Sequence, residues 1–108
     1  VPIKGPPNMA HYVASKGAVI AFTRSLAREL AKDKITVNAI APGFTLSDGV
    51  LQSDLHNRIG DNARTTGRCI QRDQLPADLV GALGYLVSDG ASFVTGQTLA
   101  VDGGGVFL

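Results

Sequence analysis

Apolar positions recur along this chain with a helical period in some stretches and as unbroken β-branched runs in others. Over residues 9–32, Val13, Phe22, Leu26 and Leu30 fall at helical spacing among Ala10, Ala14, Gly17, Ala18 and Ala21, which predicts one long helix. "KGPPN" punctuates the chain before it, and Asn8 is a candidate N-cap. So many small residues allow neighbouring backbone to approach closely. Arg24, Arg28, Glu29 and Lys32 turn the later half toward water or a polar interface.

The pattern then changes. "ITVNAIA", residues 35–41, is β-branched and apolar on both faces, which predicts a buried strand ended by Pro42 and Gly43. Residues 47–64 are polar and Asp-rich, with Val50, Leu51, Leu55 and Ile59 on one side, a weak amphipathic helix. Residues 76–87 predict a firmer helix, with Pro76 in its first turn and Leu79, Leu83 and Leu86 toward the core. "QTLAV", residues 97–101, reads as a second strand that "DGGG" closes.

Helix, strand, two helices, strand is the later part of an α/β layout: about three helices and two parallel strands, as in a doubly wound, Rossmann-type sheet. Two strands do not make a sheet covered on both faces. The first half of such a domain is therefore expected to be missing from residues 1–108, and the 35–41 strand to present an exposed apolar edge prone to self-association.

Bulk numbers narrow the function classes. The chain has 108 residues, enough for one domain at most, and 44% hydrophobic with 18% charged residues suits a globular protein with a core. A net charge of +1 and only 6% aromatics argue against nucleic acid or an anionic membrane as partner. The single cysteine, Cys69, fits a reducing, cytoplasmic setting, and no metal-ligand spacing surrounds it. No apolar run is long enough to span a bilayer. The chain starts at Val1 in what reads as a mid-protein loop, which favours a piece of a longer protein.

One pair carries candidate chemistry. Tyr12 and Lys16 stand four residues apart on the first helix, one above the other. A phenol that ionises near pH 10 needs roughly 3–4 kcal/mol of help to exchange protons near neutrality. An ammonium about 6 Å away, at an effective dielectric near 20, supplies roughly 3 kcal/mol. The magnitude suffices for an acid/base couple, although a Tyr-x-x-x-Lys pair is also common as plain packing beside a solvated charge.

The surroundings of that pair weigh on the choice. "YVASKGAV", "FTRSLARELA", "ITVNAIAPGF", "FVTGQ" and "VDGG" follow one another in order, and together they closely resemble the short-chain dehydrogenase/reductase family. The resemblance spans residues 9–104. Its nearest flavour is the set of 3-oxoacyl-carrier-protein reductases and related carbonyl reductases.

The resemblance implies an NAD(P)-dependent oxidoreductase that moves hydride between NAD or NADP and a carbonyl or alcohol substrate. It makes Tyr12 the general acid/base, and Lys16 the residue that activates it and bonds the nicotinamide ribose. Pro42 and Gly43 match the turn whose backbone holds the nicotinamide carboxamide, at a strand end where open α/β sheets place ligands. Thr45 stands where the family usually has isoleucine or valine bonding through its backbone, and Ser47 where a threonine hydroxyl usually meets the cofactor. Both stay in the cofactor-binding set. The expected partners are a small-molecule substrate, the missing N-terminal half of the same protein, and copies of the chain in a homodimer or homotetramer. An alternative is a catalytically silent association module built from the family's oligomerisation surfaces.

Other residues read as structural. Ser15 is expected to pack small against the sheet, His11 to lie on the surface, and Asn38 to be a buried amide pinning adjacent loops. Asp102 with Gly103 and Gly104 reads as turn chemistry and subunit contact in place of an anion cradle, because a carboxylate repels phosphate. Residues 44–64 match the family's substrate lid, with Asp48, Asp54 and Asp61 on a solvated face.

Overall fold

The computed structural model describes residues 10–53, 65 and 67–107, except for the side chains of Tyr12, Val50, Gln52 and Ser53. Helix α1 spans Ala10–Glu29, strand β1 Ala39–Pro42, helix α2 Asp48–Ser53, helix α3 Val80–Leu86 and strand β2 Thr98–Val101. Short 3-10 turns occupy Ala31–Asp33, Pro76–Leu79 and Asp89–Ala91. β1 and β2 pair in a two-stranded sheet. Ala39 N–H donates to the Gln97 carbonyl at 2.9 Å and Gly43 N–H to the Val101 carbonyl at 3.1 Å. The partners advance together along both strands, as in a parallel ladder. The α/β class with parallel strands is as the sequence predicts.

The chain divides into two compact units. One comprises Val1–Ala39 with Leu86–Leu99, the other Ile40–Tyr85 with Ala100–Leu108.

In the first unit α1 runs unbroken for 20 residues. Its Thr23 and Ala27, one turn apart, are buried. The Thr23 hydroxyl donates to the Val19 carbonyl at 2.7 Å, so a buried polar atom is satisfied within its own helix. A Cβ built on Gly96, whose φ is +72°, would lie 3.4 Å from the Ala27 Cβ. The loop before β2 thus packs against the alanine face of α1.

The predicted helix over residues 9–32 stops sooner. After Glu29 the chain tightens into the 3-10 turn and reverses at Lys34, which has φ 61°. Lys34 N–H donates to the Ala31 carbonyl at 3.0 Å and Ile35 N–H to the Leu30 carbonyl at 3.3 Å. A left-handed residue closing a helical segment is usually glycine, and a lysine there carries the Cβ penalty.

The predicted strand over residues 35–41 begins late. Residues 35–38 are tied to the loop at 94–97 instead of entering the ladder. Val37 N–H donates to the Thr95 hydroxyl at 3.0 Å, and the Val37 carbonyl accepts Gly96 N–H at 2.7 Å. Nor is the strand buried: Ile35 is exposed, and Ala39, Ile40 and Ala41 are half-buried.

In the second unit the predicted helix over 47–64 is described only as α2, Asp48–Ser53. Its later part, with Leu55, Ile59, Asp54 and Asp61, lies outside the described residues. The helix over 76–87 starts as the 3-10 turn Pro76–Leu79 before α3. Leu79 and Leu86 are half-buried, but Leu83 faces solvent, against expectation. Ser15 is exposed too and does not pack on a sheet.

The core is smaller than the composition suggests. Among the described residues the buried hydrophobic ones are Ala27 and Ala91, while Phe22 and Phe93 are 64% and 101% exposed. The physical reason is the one the strand count implies: among the described residues, two four-residue strands and one long helix with shorter ones do not supply enough surface to cover the apolar side chains.

Candidate active site

Each compact unit holds part of the predicted site. In the first, Tyr12 and Lys16 both lie in α1, and the helix is regular between them, so they occupy the same face one turn apart. Lys16 is exposed. The Tyr12 side chain lies outside what the structure describes. His11, next to it, is exposed, as expected of a surface residue.

In the same unit Asn38 pins the neighbouring loop as the sequence predicts, although it is half-buried and not buried as expected. Its Nδ2 donates to the Val94 carbonyl at 3.1 Å, and its Oδ1 accepts Gln97 N–H at 3.1 Å. Donor and acceptor together fix residues 94–97, the segment that leads into β2.

In the second unit Pro42, Gly43, Thr45 and Ser47 follow one another at the carboxyl end of β1. The Thr45 hydroxyl donates back to the Gly43 carbonyl at 2.9 Å, and the Thr45 carbonyl accepts Ser47 N–H at 2.9 Å. Ser47 then leads α2, its carbonyl accepting Leu51 N–H at 2.9 Å. The turn is compact and locally bonded.

Gly43 is required there by space. A Cβ at this position would lie 2.8 Å from Gln74 Oε1, 2.9 Å from the Asp102 Cβ and 3.1 Å from the Asp102 Cα. The turn is thus wedged against two other segments of its own unit.

Gln74 is the residue that the sequence pattern does not disclose. It is 95% buried. Its carbonyl accepts Leu46 N–H at 2.8 Å, and Thr45 and Gln74 form an isolated parallel bridge. Its Nε2 donates to the Val101 carbonyl at 2.6 Å, the same oxygen that takes Gly43 N–H. Its Oε1 is buried with no hydrogen-bond partner among the described residues. Two flanking charges and a nearby proline make "QRDQLP" look like loop polarity. Only the pairing with residues 46 and 101, distant in sequence, buries this amide.

Asp102 settles the glycine ending. Its carboxylate accepts Gly104 N–H and Gly105 N–H at 3.1 Å each and Val106 N–H at 3.0 Å. Gly103 and Gly104 take positive φ of 67° and 82° to make this possible. The chain's own carboxylate fills the array of N–H groups, as turn chemistry requires, and leaves no cradle for an anion.

Before α3, Arg72 and Asp78 form a two-armed ion pair with both contacts at 2.8 Å. Asp78 also accepts Leu75 N–H at 2.8 Å, which caps the 3-10 turn. The Arg72 hydrogen bonds, then the Leu75 N–H and the guanidinium charge, hold the Asp78 carboxyl well below the usual carboxylate range. Arg68, Ile70, Arg72, Gln74, Asp78, Val101 and Gly103 line a cavity of about 140 Å³ beside the pair. Ligand pockets run to about 300 Å³ and more, so this one has no room for a dinucleotide. Among the described residues there is no cluster of metal-ligating side chains, and no helix is long and apolar enough to cross a membrane.

A family model described as enoyl-(acyl carrier protein) reductase matches residues 2–105. The chain belongs to the short-chain dehydrogenase/reductase family. It is 40% identical over 109 residues to the 3-oxoacyl-[acyl-carrier-protein] reductase FabG of Rickettsia felis, covering 96% of this chain and 42% of that protein. With the FabG of Staphylococcus aureus (strain Mu50) it shares 42% over 102 residues, covering 93% of this chain and 39% of the relative. Among solved structures, a glucose/ribitol-type short-chain dehydrogenase/reductase from Brucella melitensis superimposes with a TM-score of 0.86 at 36% identity. That match covers 99% of this chain and 42% of the other. A 4-hydroxyisoleucine dehydrogenase complexed with NADH matches with a TM-score of 0.77 at 34% identity, over 97% of this chain and 42% of its own. The short-chain dehydrogenase/reductase segment seen here thus spans about two fifths of the relatives it matches.

Proposed function

We propose that this chain carries the proton-transfer segment of a longer NAD(P)-dependent oxidoreductase acting on a small carbonyl or alcohol substrate. The observation that carries the reading is the unbroken course of α1 through residues 12 and 16, which sets a phenol-bearing and an ammonium-bearing residue on one face. Family membership supplies the chemistry that such a pair performs.

Taken unit by unit, the donors suit different parts of a dinucleotide. Lys16 brings an exposed ammonium suited to ribose hydroxyls. The turn carrying Pro42, Gly43 and Thr45 brings backbone groups at a strand's carboxyl end, the position suited to a carboxamide. Ser47 adds a hydroxyl. NAD or NADP, when bound, supplies or takes the hydride.

During reduction, Tyr12 gives its hydroxyl proton to the substrate oxygen as the carbonyl carbon gains hydride, and the product is an alcohol. During oxidation Tyr12 takes that proton back. Lys16 stabilises the phenolate left on Tyr12 by charge and holds the ribose, which makes proton exchange accessible near neutral pH. Similarity to the FabG proteins favours a 3-oxoacyl type of substrate. The working protein in this reading is a cytoplasmic homodimer or homotetramer that includes the sequence beyond these residues.

Replacing Tyr12 with Phe in the full-length protein tests the proposal. Turnover should fall by about 10²–10⁴-fold with assembly, measured by light scattering, unchanged. A second reading, a catalytically silent association module, draws on the exposure of Phe22 and Phe93. Turnover that survives Tyr12→Phe would sink the acid/base assignment, and a full-length protein with no turnover at all would favour the module.

A further inference from the structure

We propose that Gln74 is a positioning residue for the cofactor-holding turn over residues 43–46. This rests on the reading above that the turn meets the nicotinamide. Three contacts inside one compact unit point to it. The Gln74 carbonyl holds Leu46 N–H at the far end of the turn. Its side-chain N–H binds the Val101 carbonyl, the oxygen that also receives Gly43 N–H at the near end. Its Oε1 occupies the space next to Gly43 that a Cβ would need. One buried residue therefore touches both ends of the turn and sets how closely it approaches β2.

The geometry explains why an amide stands there. An aliphatic side chain would fill the volume, but it would leave the Val101 carbonyl with a single donor. A carboxylate would set negative charge against that carbonyl. The cost of the arrangement is visible: among the described residues no donor reaches the buried Oε1, and such groups persist in native structures where the local arrangement serves another end. Thr45 and Gly43 bond to each other within the turn and Gly43 N–H reaches Val101 directly, while Gln74 adds the side-chain bond that ties the far end of the turn to the same strand.

The test uses the full-length protein and two substitutions. Gln74→Met keeps the length and neutrality of the side chain and removes both the bond to Val101 and the unpaired oxygen. Gln74→Asn keeps the amide, withdraws it from Val101 by one methylene, and serves if the Met variant does not fold. With the loss of one buried hydrogen bond, KM for the dinucleotide should rise about tenfold while kcat changes less than about twofold. In the cofactor-free protein, amide hydrogen exchange at Gly43 and Leu46 should speed up by a similar factor, with Leu26 and Ala27 in α1 unchanged. A fall in kcat with KM constant, or exchange that accelerates everywhere alike, marks a merely structural residue and overturns the proposal. So does no change in KM and in the two amides. Tyr12→Phe run alongside keeps the questions apart, because its effect on turnover judges the acid/base assignment whatever happens at Gln74. A full-length protein that binds no dinucleotide would remove both.

Discussion

Each compact unit uses a buried or half-buried side-chain amide as a tie, Asn38 between the segments that lead into β1 and β2 and Gln74 between a turn and β2, and the two amides are satisfied differently. Asn38 in the first unit uses both ends, giving N–H to Val94 and receiving N–H from Gln97. Gln74 in the second gives N–H to Val101 and leaves Oε1 buried and unpaired. A hydrogen bond contributes about 1 kcal/mol net, whereas an orphaned buried acceptor costs about 1–3 kcal/mol. The first unit's clamp is therefore complete in itself, and the second's is held partly by crowding around Gly43. The contrast assigns different weak points: a lost bond at Asn38, a lost fit at Gly43.

The largest effect is expected where fit matters most. Gly43→Ala would drive a methyl into the Asp102 Cα and Cβ as well as Gln74 Oε1. The end of the Gln74 side chain can swing aside, but the Asp102 backbone cannot, so stability should fall by about 3 kcal/mol. Denaturant unfolding measures it. The double variant Gly43→Ala with Gln74→Ala should recover only a part, because the Asp102 contact remains. Full recovery would show that Gln74 alone defines the space, and the account of a two-sided wedge would be wrong.

Asn38→Ala comes next. Two hydrogen bonds vanish, which predicts a loss of about 2 kcal/mol and faster amide exchange at Gln97. Asn38→Asp should restore the acceptor half alone, keeping Gln97 protected while Val94 loses its donor. If the Ala and Asp variants were equally destabilised with Gln97 exposed in both, the two-ended clamp would not describe this residue.

This contrast also shows how far the sequence could be read. Asn38 stands out in "ITVNAIA" because a polar residue in an apolar run must find partners, and the structure supplies them locally in space. The Pro42–Gly43 stop and the Asp102 turn are likewise legible, since backbone punctuation acts over a few residues. Gln74 is not legible, because its burial comes from residues 46 and 101 and from no periodicity around it. The late start of β1 has the same origin: apolar period alone does not reveal that residues 35–38 bond to the loop at 94–97 instead. The site divides along that line too. Tyr12 and Lys16 are proposed from helical spacing together with the family motifs around them, whereas the support of the turn over residues 43–46 needs the fold.

The smallest effect sharpens the second unit's edge. Asp78 is held below its ordinary pKa by Arg72 and by Leu75 N–H, while an unfolded aspartate titrates near about 3.9. A carboxyl with a depressed folded-state value stabilises the protein fully above the unfolded value, and that contribution drains away as pH falls toward the folded one. Stability of the native chain should therefore drop relative to Asp78→Asn as pH goes below about 4, and the difference between them should be flat from pH 5 to 8. Asparagine still offers an oxygen to Leu75 N–H, so the comparison isolates the charge. Both partners reach water, with side chains 59% and 27% exposed, so salt should shrink the difference. If the difference ignored both salt and pH, the pair would be ornamental and Asp78 would act only as the cap of the turn at Pro76–Leu79. A difference that follows acid but resists salt would instead assign the work to the charged bond with Leu75 N–H. Either result would show whether the turn next to Gln74 is fixed by its charges or by its backbone.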